Sequence, residues 1–325
     1  MANVRALHAI LALLPAMMLL VGESSAETYP ARPVRLIVPF AAGGPTDVIA
    51  RVVAQKLSEA WGQQVVTENI PGAGGNTGVA MAARAAPDGY TMLVVSTGFM
   101  VNPSMYSKIP YDPVRDFSPV TLVAASPNVI SVHPTFPGKT LKELIEIVKA
   151  NPGKHSFAQP STGSTPHLAG ELFKQDYRLD LVTVPFNSAA LAINSTIGNH
   201  TPIAFTALPP AMSNIREGKL RGLAVLSGKR APTLPEVPTN AEAGVPGLES
   251  DTLTGIVAPA GTPKEIIDRW RGDIARMAAT PEVKQRLETL GFAPVANTPE
   301  EFGERIKLEI AKWGKVVRDA GIKAD

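Results

Sequence analysis

The sequence predicts an α/β fold with mainly parallel sheets, divided into two lobes of which the first is discontinuous. Three observations carry this expectation. Short β-branched apolar runs alternate with helical patterns from Val34 onward. Turns rich in glycine or hydroxyl residues separate strand ends from helix starts. Two proline-rich passages, 109–127 and 232–246, bracket a segment of about 120 residues, long enough for an inserted domain.

The first element is the clearest. Val34, Leu36 and Val38, with Ile37 between them, read as a buried strand that Pro39 stops. Gly43 and Gly44 permit a tight turn, and Thr46 or Asp47 can cap a helix carrying Val48, Ile49, Val52, Val53 and Leu57 at helical spacing. A strand feeding such a turn aims backbone N–H groups and the positive end of a helix dipole at one point, a ready anion site. Strands are expected at 34–39, 64–68, 91–95, 118–124, 129–132, 181–184, 203–206, 222–226 and 254–257. Helices are expected at 47–61, 77–86, 141–150, 166–175, 189–197, 209–218, 263–279, 281–290 and 299–320. Thr262-Pro263, Thr280-Pro281 and Thr298-Pro299 each pair a capping hydroxyl with a proline suited to the first helical turn. On the last helix Phe302, Ile306, Ile310, Trp313 and Val317 form one stripe for packing on the first lobe. The chain would cross twice between lobes, 27–125 with 249–325 and 126–248, which suits hinge closure.

Composition narrows the function. Of 325 residues, 45% are hydrophobic and 18% charged, with a net charge of +2 and no basic run longer than two, so nucleic acid is not an expected partner. Residues 1–26 read as a secretory signal: Arg5, an apolar stretch from Ala6 to Val21, and Ser24-Ser25-Ala26 before the cleavage point. The sixteen apolar-run residues are broken by His8 and Pro15 and fall short of the roughly 20 a membrane span needs. With no cysteine there is neither a lipid anchor nor a disulfide, and an exported, monomeric, periplasmic protein is expected.

Further turns repeat the first motif. Pro71 to Gly78 is a second glycine loop, but its glycines at 72, 74, 75 and 78 miss the dinucleotide fingerprint, so no cofactor is expected. Ser96-Thr97 ends the third strand. Ser161-Thr162-Gly163-Ser164-Thr165-Pro166-His167 leads into a helix, with hydroxyls that either cap it or reach a ligand. Phe186-Asn187-Ser188-Ala189 is another polar turn before a helix. Histidines 133, 155, 167 and 200 form no metal-ligand spacing, and neither a nucleophile elbow nor a phosphate-loop lysine motif occurs. Ser164 with His167 is the one catalytic alternative, for a secreted enzyme acting on a carboxylate, and lacks a third member.

The runs P-F-A-A-G-G-P-T-D (39–47), E-N-I-P-G-A-G-G-N-T-G (68–78), P-D-G-Y-T (87–91), H-L-A-G-E-L-F (167–173), G-K-L-R-G-L-A-V (218–225), L-P-E-V-P-T (234–239) and P-A-G-T-P (259–263) together resemble the Bug, or TctC-like, extracytoplasmic solute receptors. The resemblance spans nearly the whole chain after the signal. It implies a two-lobed periplasmic-binding-protein fold of the Venus flytrap kind, which captures a carboxylate between its lobes for the membrane permease subunits of a tripartite tricarboxylate transporter. A role as the sensing subunit of a membrane histidine kinase is the alternative. In such receptors the turn after the first strand grips a ligand carboxylate, which here implies Phe40, Ala42, Gly43, Gly44, Thr46 and Asp47. The second glycine loop implies Gly75 and Asn76, and the third strand's end Ser96 and Thr97. The inserted lobe implies Ser161, Thr162, Ser164, His167, Asn187 and Ser188, with Phe205 and Thr206. Many relatives have Asp after that phenylalanine. Its replacement by Thr206, and Asn199-His200-Thr201 nearby, argue against an ammonium on the ligand and for a plain dicarboxylate. The T-P-I-A-F-T-A-L-P run (201–209) is similar to that of some terephthalate receptors, which leaves aromatic acids open.

Overall fold

The computed structural model describes residues 29–324; the expected signal at 1–26 lies outside them. Strand β1 (Val34–Val38) pairs in parallel with β2 (Val65–Asn69) and β3 (Thr91–Ser96). Its apolar run from Leu36 to Val38 is explained by burial on both faces: Leu36 packs with Val52, Met92 and Trp270, while Ile37 packs with Leu93, Phe117 and Phe302, and only Arg35 is exposed. A second sheet, with β5 (Ser156–Pro160), β6 (Val182–Phe186), β7 (Ile203–Ala207) and β8 (Arg221–Val225), buries Ile130, Phe157 and Phe205 on one face and Val129, Leu208 and Leu234 on the other.

Two strands join these halves. The pairing is parallel at both margins, as the alternation of strands and helices predicts, but the centre is antiparallel. There β4 (Phe117–Val132) runs against β9 (Asp251–Pro259), β7, β8 and the short β10 (Ala293–Pro294). The expectation of separate strands at 118–124 and 129–132 is corrected: β4 is continuous through Pro127. That proline stands where β4 leaves β9 and takes up β7, so its missing N–H falls at the change of partner.

The helices are α1 (Pro45–Trp61), α2 (Asn76–Ala83), α3 (Thr97–Met105), α4 (Leu141–Ala150), α5 (Thr165–Tyr177), α6 (Ala189–Ile197), α7 (Leu208–Arg216), α8 (Lys264–Ala279), α9 (Pro281–Thr289) and α10 (Pro299–Asp319). Helix α3 and strand β5 were not anticipated. α3 carries Gly98 and Pro103 and is buried around Phe99, Met100, Val101 and Met105, so it shows no polar face. β5 offers only Phe157, Ala158 and Gln159 as a buried run. Thr280 and Thr298 cap α9 and α10 as expected, whereas the Thr262 hydroxyl donates to Pro259 O and leaves α8 uncapped. Trp313 and Val317 of α10 meet Val101 and Met105 of α3 and Leu168 of α5.

Candidate functional site

A cavity of about 420 Å³ opens where strands of both sheets end. Its lining gathers the N-termini of five helices: Gly44, Pro45 and Thr46 of α1; Ser96, Thr97 and Gly98 of α3; Ser164, Thr165 and Pro166 of α5; Ala189 of α6; Ala207 of α7. Gly74, Asn102, Met105, Tyr106, Ser161, Thr162, Thr252 and Ala324 complete most of the wall, with Phe40 at one side. Among the described residues no charged side chain lines it. The caps of α1, α3 and α7 receive no side-chain bond, so their first-turn N–H groups are available to a ligand. Thr46 and Asp47, expected as caps, instead lie inside the first turn of α1, whose N-cap is Gly44.

Both principal turns are braced from behind. The Asp47 carboxylate, 1% exposed, accepts from the Gly43 N–H and Arg51 Nε at 2.8 Å each and from Asn69 Nδ2 at 2.8 Å. Asn69 also donates to Phe40 O. Burial works to raise the Asp47 pKa, but the bonds from Arg51, Gly43 and Asn69 outweigh it and hold the carboxyl below its ordinary value. On the opposite wall Ser164 caps α5, accepting from the His167 N–H and donating to Pro160 O. His167, 6% exposed, accepts the Gly163 N–H on Nδ1 at 2.9 Å. Burial lowers its pKa, Glu171 opposes that and Lys174 adds to it. Ser161 holds a left-handed conformation, φ 52°, with its N–H donated to Phe186 O, a strained backbone on the cavity wall. Thr165 Oγ1 lies 2.9 Å from Thr252 Oγ1 across the joint.

Of the residues expected at the site, the structure brings together Phe40, Gly44, Thr46, Ser96, Thr97, Ser161, Thr162 and Ser164. Others stand elsewhere. Asp47 and His167 lie behind the wall. Ala42, Gly43, Asn187 and Ser188 are exposed beside it, with Ser188 capping α6. Gly75 is packed against Phe40 and Pro39, and Asn76 faces away toward another cavity. Phe205 is a core ring 5.0 Å from Phe157, and Thr206, the next residue on β7, is fully buried on the opposite face of the sheet. Missed were Asn102, Met105 and Tyr106, because α3 was missed, and Thr252 and Ala324, which only tertiary packing brings near. Among the described residues no group of acids and histidines could hold a metal ion, and no helix is long and apolar enough to cross a membrane.

A cavity ringed by helix N-termini at the strand ends of a two-sheet α/β fold defines a solute-binding protein of the periplasmic type. A family model described as the tripartite tricarboxylate transporter family receptor, TctC, matches residues 49–322, and the chain belongs to that family. It is 36% identical to Protein BugT of Bordetella pertussis over 323 residues, 99% of each chain. It superposes on Rpa4515 of R. palustris, solved with adipate, with a TM-score of 0.79 at 34% identity, covering 91% of this chain and 99% of that one. MatC of Rhodopseudomonas palustris, solved with bound malate, gives a TM-score of 0.74 at 31% identity, covering 89% and 100%. The family is one of binding receptors, so the hydrolytic alternative for Ser164 and His167 falls away.

Proposed function

We propose that this protein is a periplasmic receptor, exported by its first 26 residues, that captures a small dicarboxylate in the cavity at the helix N-termini. In this reading residues 27–125 with 249–325 form one lobe and 126–248 the other. They close over the ligand and present it to the membrane subunits of a tripartite tricarboxylate transporter. The observation that carries the reading is the convergence of five helix starts on a cavity whose lining, among the described residues, holds no charged side chain.

Each helix start presents roughly half a positive charge together with N–H donors. Anions are therefore favoured, and no lysine or arginine is needed. Gly44, Thr46, Ser96 and Thr97 would serve one carboxylate, and Ser161, Thr162 and Ser164 the other. An ammonium would find no anionic partner on this wall. The volume is in the ordinary range for a small-molecule site. The adipate and malate held by two relatives are both dicarboxylates, which supports the class.

Titration calorimetry of the protein from residue 27 onward, against adipate, malate, terephthalate, butyrate and phosphate, tests it. Micromolar binding of a dicarboxylate is expected, with butyrate weaker and phosphate absent from the cavity. Absence of heat with every carboxylate would reject the reading.

A further inference from the structure

Met105 ends helix α3 on one wall of the cavity, and its thioether reaches across to the loop that follows β5. A Cβ built on Gly163 would collide with Met105 Sδ and Cε, so the end of this side chain fills the space beside that glycine. Ser161, Thr162, Ser164, Thr165 and Pro166 all line the cavity, whereas Gly163, between them, does not. Met105 covers it. We propose that Met105 is a specificity-determining residue, setting the chain length of the dicarboxylate that the cavity accepts. The proposal rests on the receptor reading above and adds a selection rule to it.

Both ends of the contact are held. Met105 is 5% exposed and packs with Val101, Leu168 and Trp313. Its carbonyl accepts the Ala324 N–H at 3.1 Å, and Ala324 is itself on the cavity wall. Gly163, at φ 78°, gives its N–H to His167 Nδ1, which fixes the loop on the other side. Any other residue at 163 would meet the thioether and also take up a backbone conformation that favours glycine.

Thr97 and Met105 are the first and last residues of α3. A rise of 1.5 Å per residue sets them about 12 Å apart, with Thr97 among the groups that would hold one carboxylate and Met105 against the loop that would hold the other. The methylenes of a dicarboxylate must run between those two grips. Among the described lining residues Met105 is the one long, flexible aliphatic side chain; the other apolar groups are the rings of Phe40 and Tyr106, prolines and alanines. A thioether on three rotatable bonds fills irregular apolar space and makes only weak polar demands. It therefore meets the spacer of the ligand rather than its carboxylates, and a longer spacer has to displace it.

The test is calorimetric titration of glutarate, adipate and pimelate, which differ by one methylene each, into the wild type, Met105→Ala and Met105→Val, with thermal melts of all three proteins. Both substitutions remove Sδ and Cε. Valine keeps more of the packing against Val101 and Leu168, so it decides the matter should the alanine variant not fold. The affinity ratio of pimelate to glutarate should rise at least about tenfold in each variant, the order of discrimination that one methylene gives in an apolar pocket. A merely structural role would weaken all three acids by one factor and leave the ratio unchanged. An unchanged or lower ratio overturns the proposal and leaves the receptor reading standing, as does a wild type that binds malate or terephthalate but none of these three acids. No heat from the wild type with any dicarboxylate rejects the receptor reading itself, and the proposal with it.

Discussion

Asp47 and His167 occupy the same third helical position on opposite walls of the cavity, and each accepts the backbone N–H of a glycine four residues earlier. Gly43 donates to Asp47 Oδ2 at 2.8 Å and Gly163 to His167 Nδ1 at 2.9 Å, both glycines at positive φ. One turn is thus held by a carboxylate and the other by a neutral imidazole. Neither residue needs to touch the ligand to position the groups that do.

Replacing Asp47 by alanine strands the Gly43 N–H, Asn69 Nδ2 and the Arg51 guanidinium. Loss of a buried, charge-assisted acceptor costs about 2–3 kcal/mol, and the dicarboxylate should bind at least about tenfold more weakly. The Asp47 pKa is depressed in the fold, so its contribution is complete above the ordinary value of 3.8 and is lost as pH falls through the lower folded value. Urea unfolding of both proteins at pH 7 and pH 3 measures this, and the gap should shrink at the lower pH.

His167 can accept from Gly163 only while Nδ1 is unprotonated. Its folded pKa lies below 6.5, so stability is present above 6.5 and falls as pH drops from there through the folded value. His167→Asn, whose Oδ1 can take the place of Nδ1, should flatten this part of the profile and keep binding at pH 5. Thermal melts from pH 7.5 to 5 of the two proteins check it.

Ser96→Asp retains a good helix N-cap and puts a negative charge on the cavity wall. Stability should be unchanged within about 0.5 kcal/mol. Like charges about 4 Å apart cost on the order of 4 kcal/mol near a protein surface, so dicarboxylate affinity should fall about a hundredfold or more. Calorimetry reads both ligand heat and unfolding.

Asp251 sits where β9 begins, with the Arg305 guanidinium 3.8 Å away. Burial pushes its carboxyl up to about 6, with Arg305 and Lys312 opposing and Glu309 and Glu249 adding. The sign is the reverse of that for Asp47: the stabilising effect is fully present below 3.8 and is lost as pH rises through about 6. Asp251→Asn should therefore be more stable than wild type at pH 8, by on the order of 2–3 kcal/mol, and close to it at pH 4. Denaturant melts at the two values decide.

Much of this was readable in the residues, for physical reasons. β1 and α1 are legible because a strand buried on both faces is apolar at all but its exposed Arg35, and because Gly43 permits the positive φ the turn adopts. What was hidden depends on neighbours. α3 has no polar face because α10 covers it, so Asn102 and Tyr106 were invisible as wall residues. His167 looks like a ligand contact, since its four-residue spacing from Gly163 fits a brace and a pocket residue equally well. Phe205 was assigned to the site on resemblance, yet its ring fills the second core against Phe157 and Phe173.

The unbroken course of β4 bears on how the molecule can be taken apart. Asn128–Val132 is hydrogen-bonded to β7 on one side and β8 on the other, while the same strand's earlier residues serve β9 and β10. A fragment beginning after residue 132 would lack the strand that knits β7 to β8. Heating the intact chain should accordingly yield one calorimetric peak, with both halves melting together.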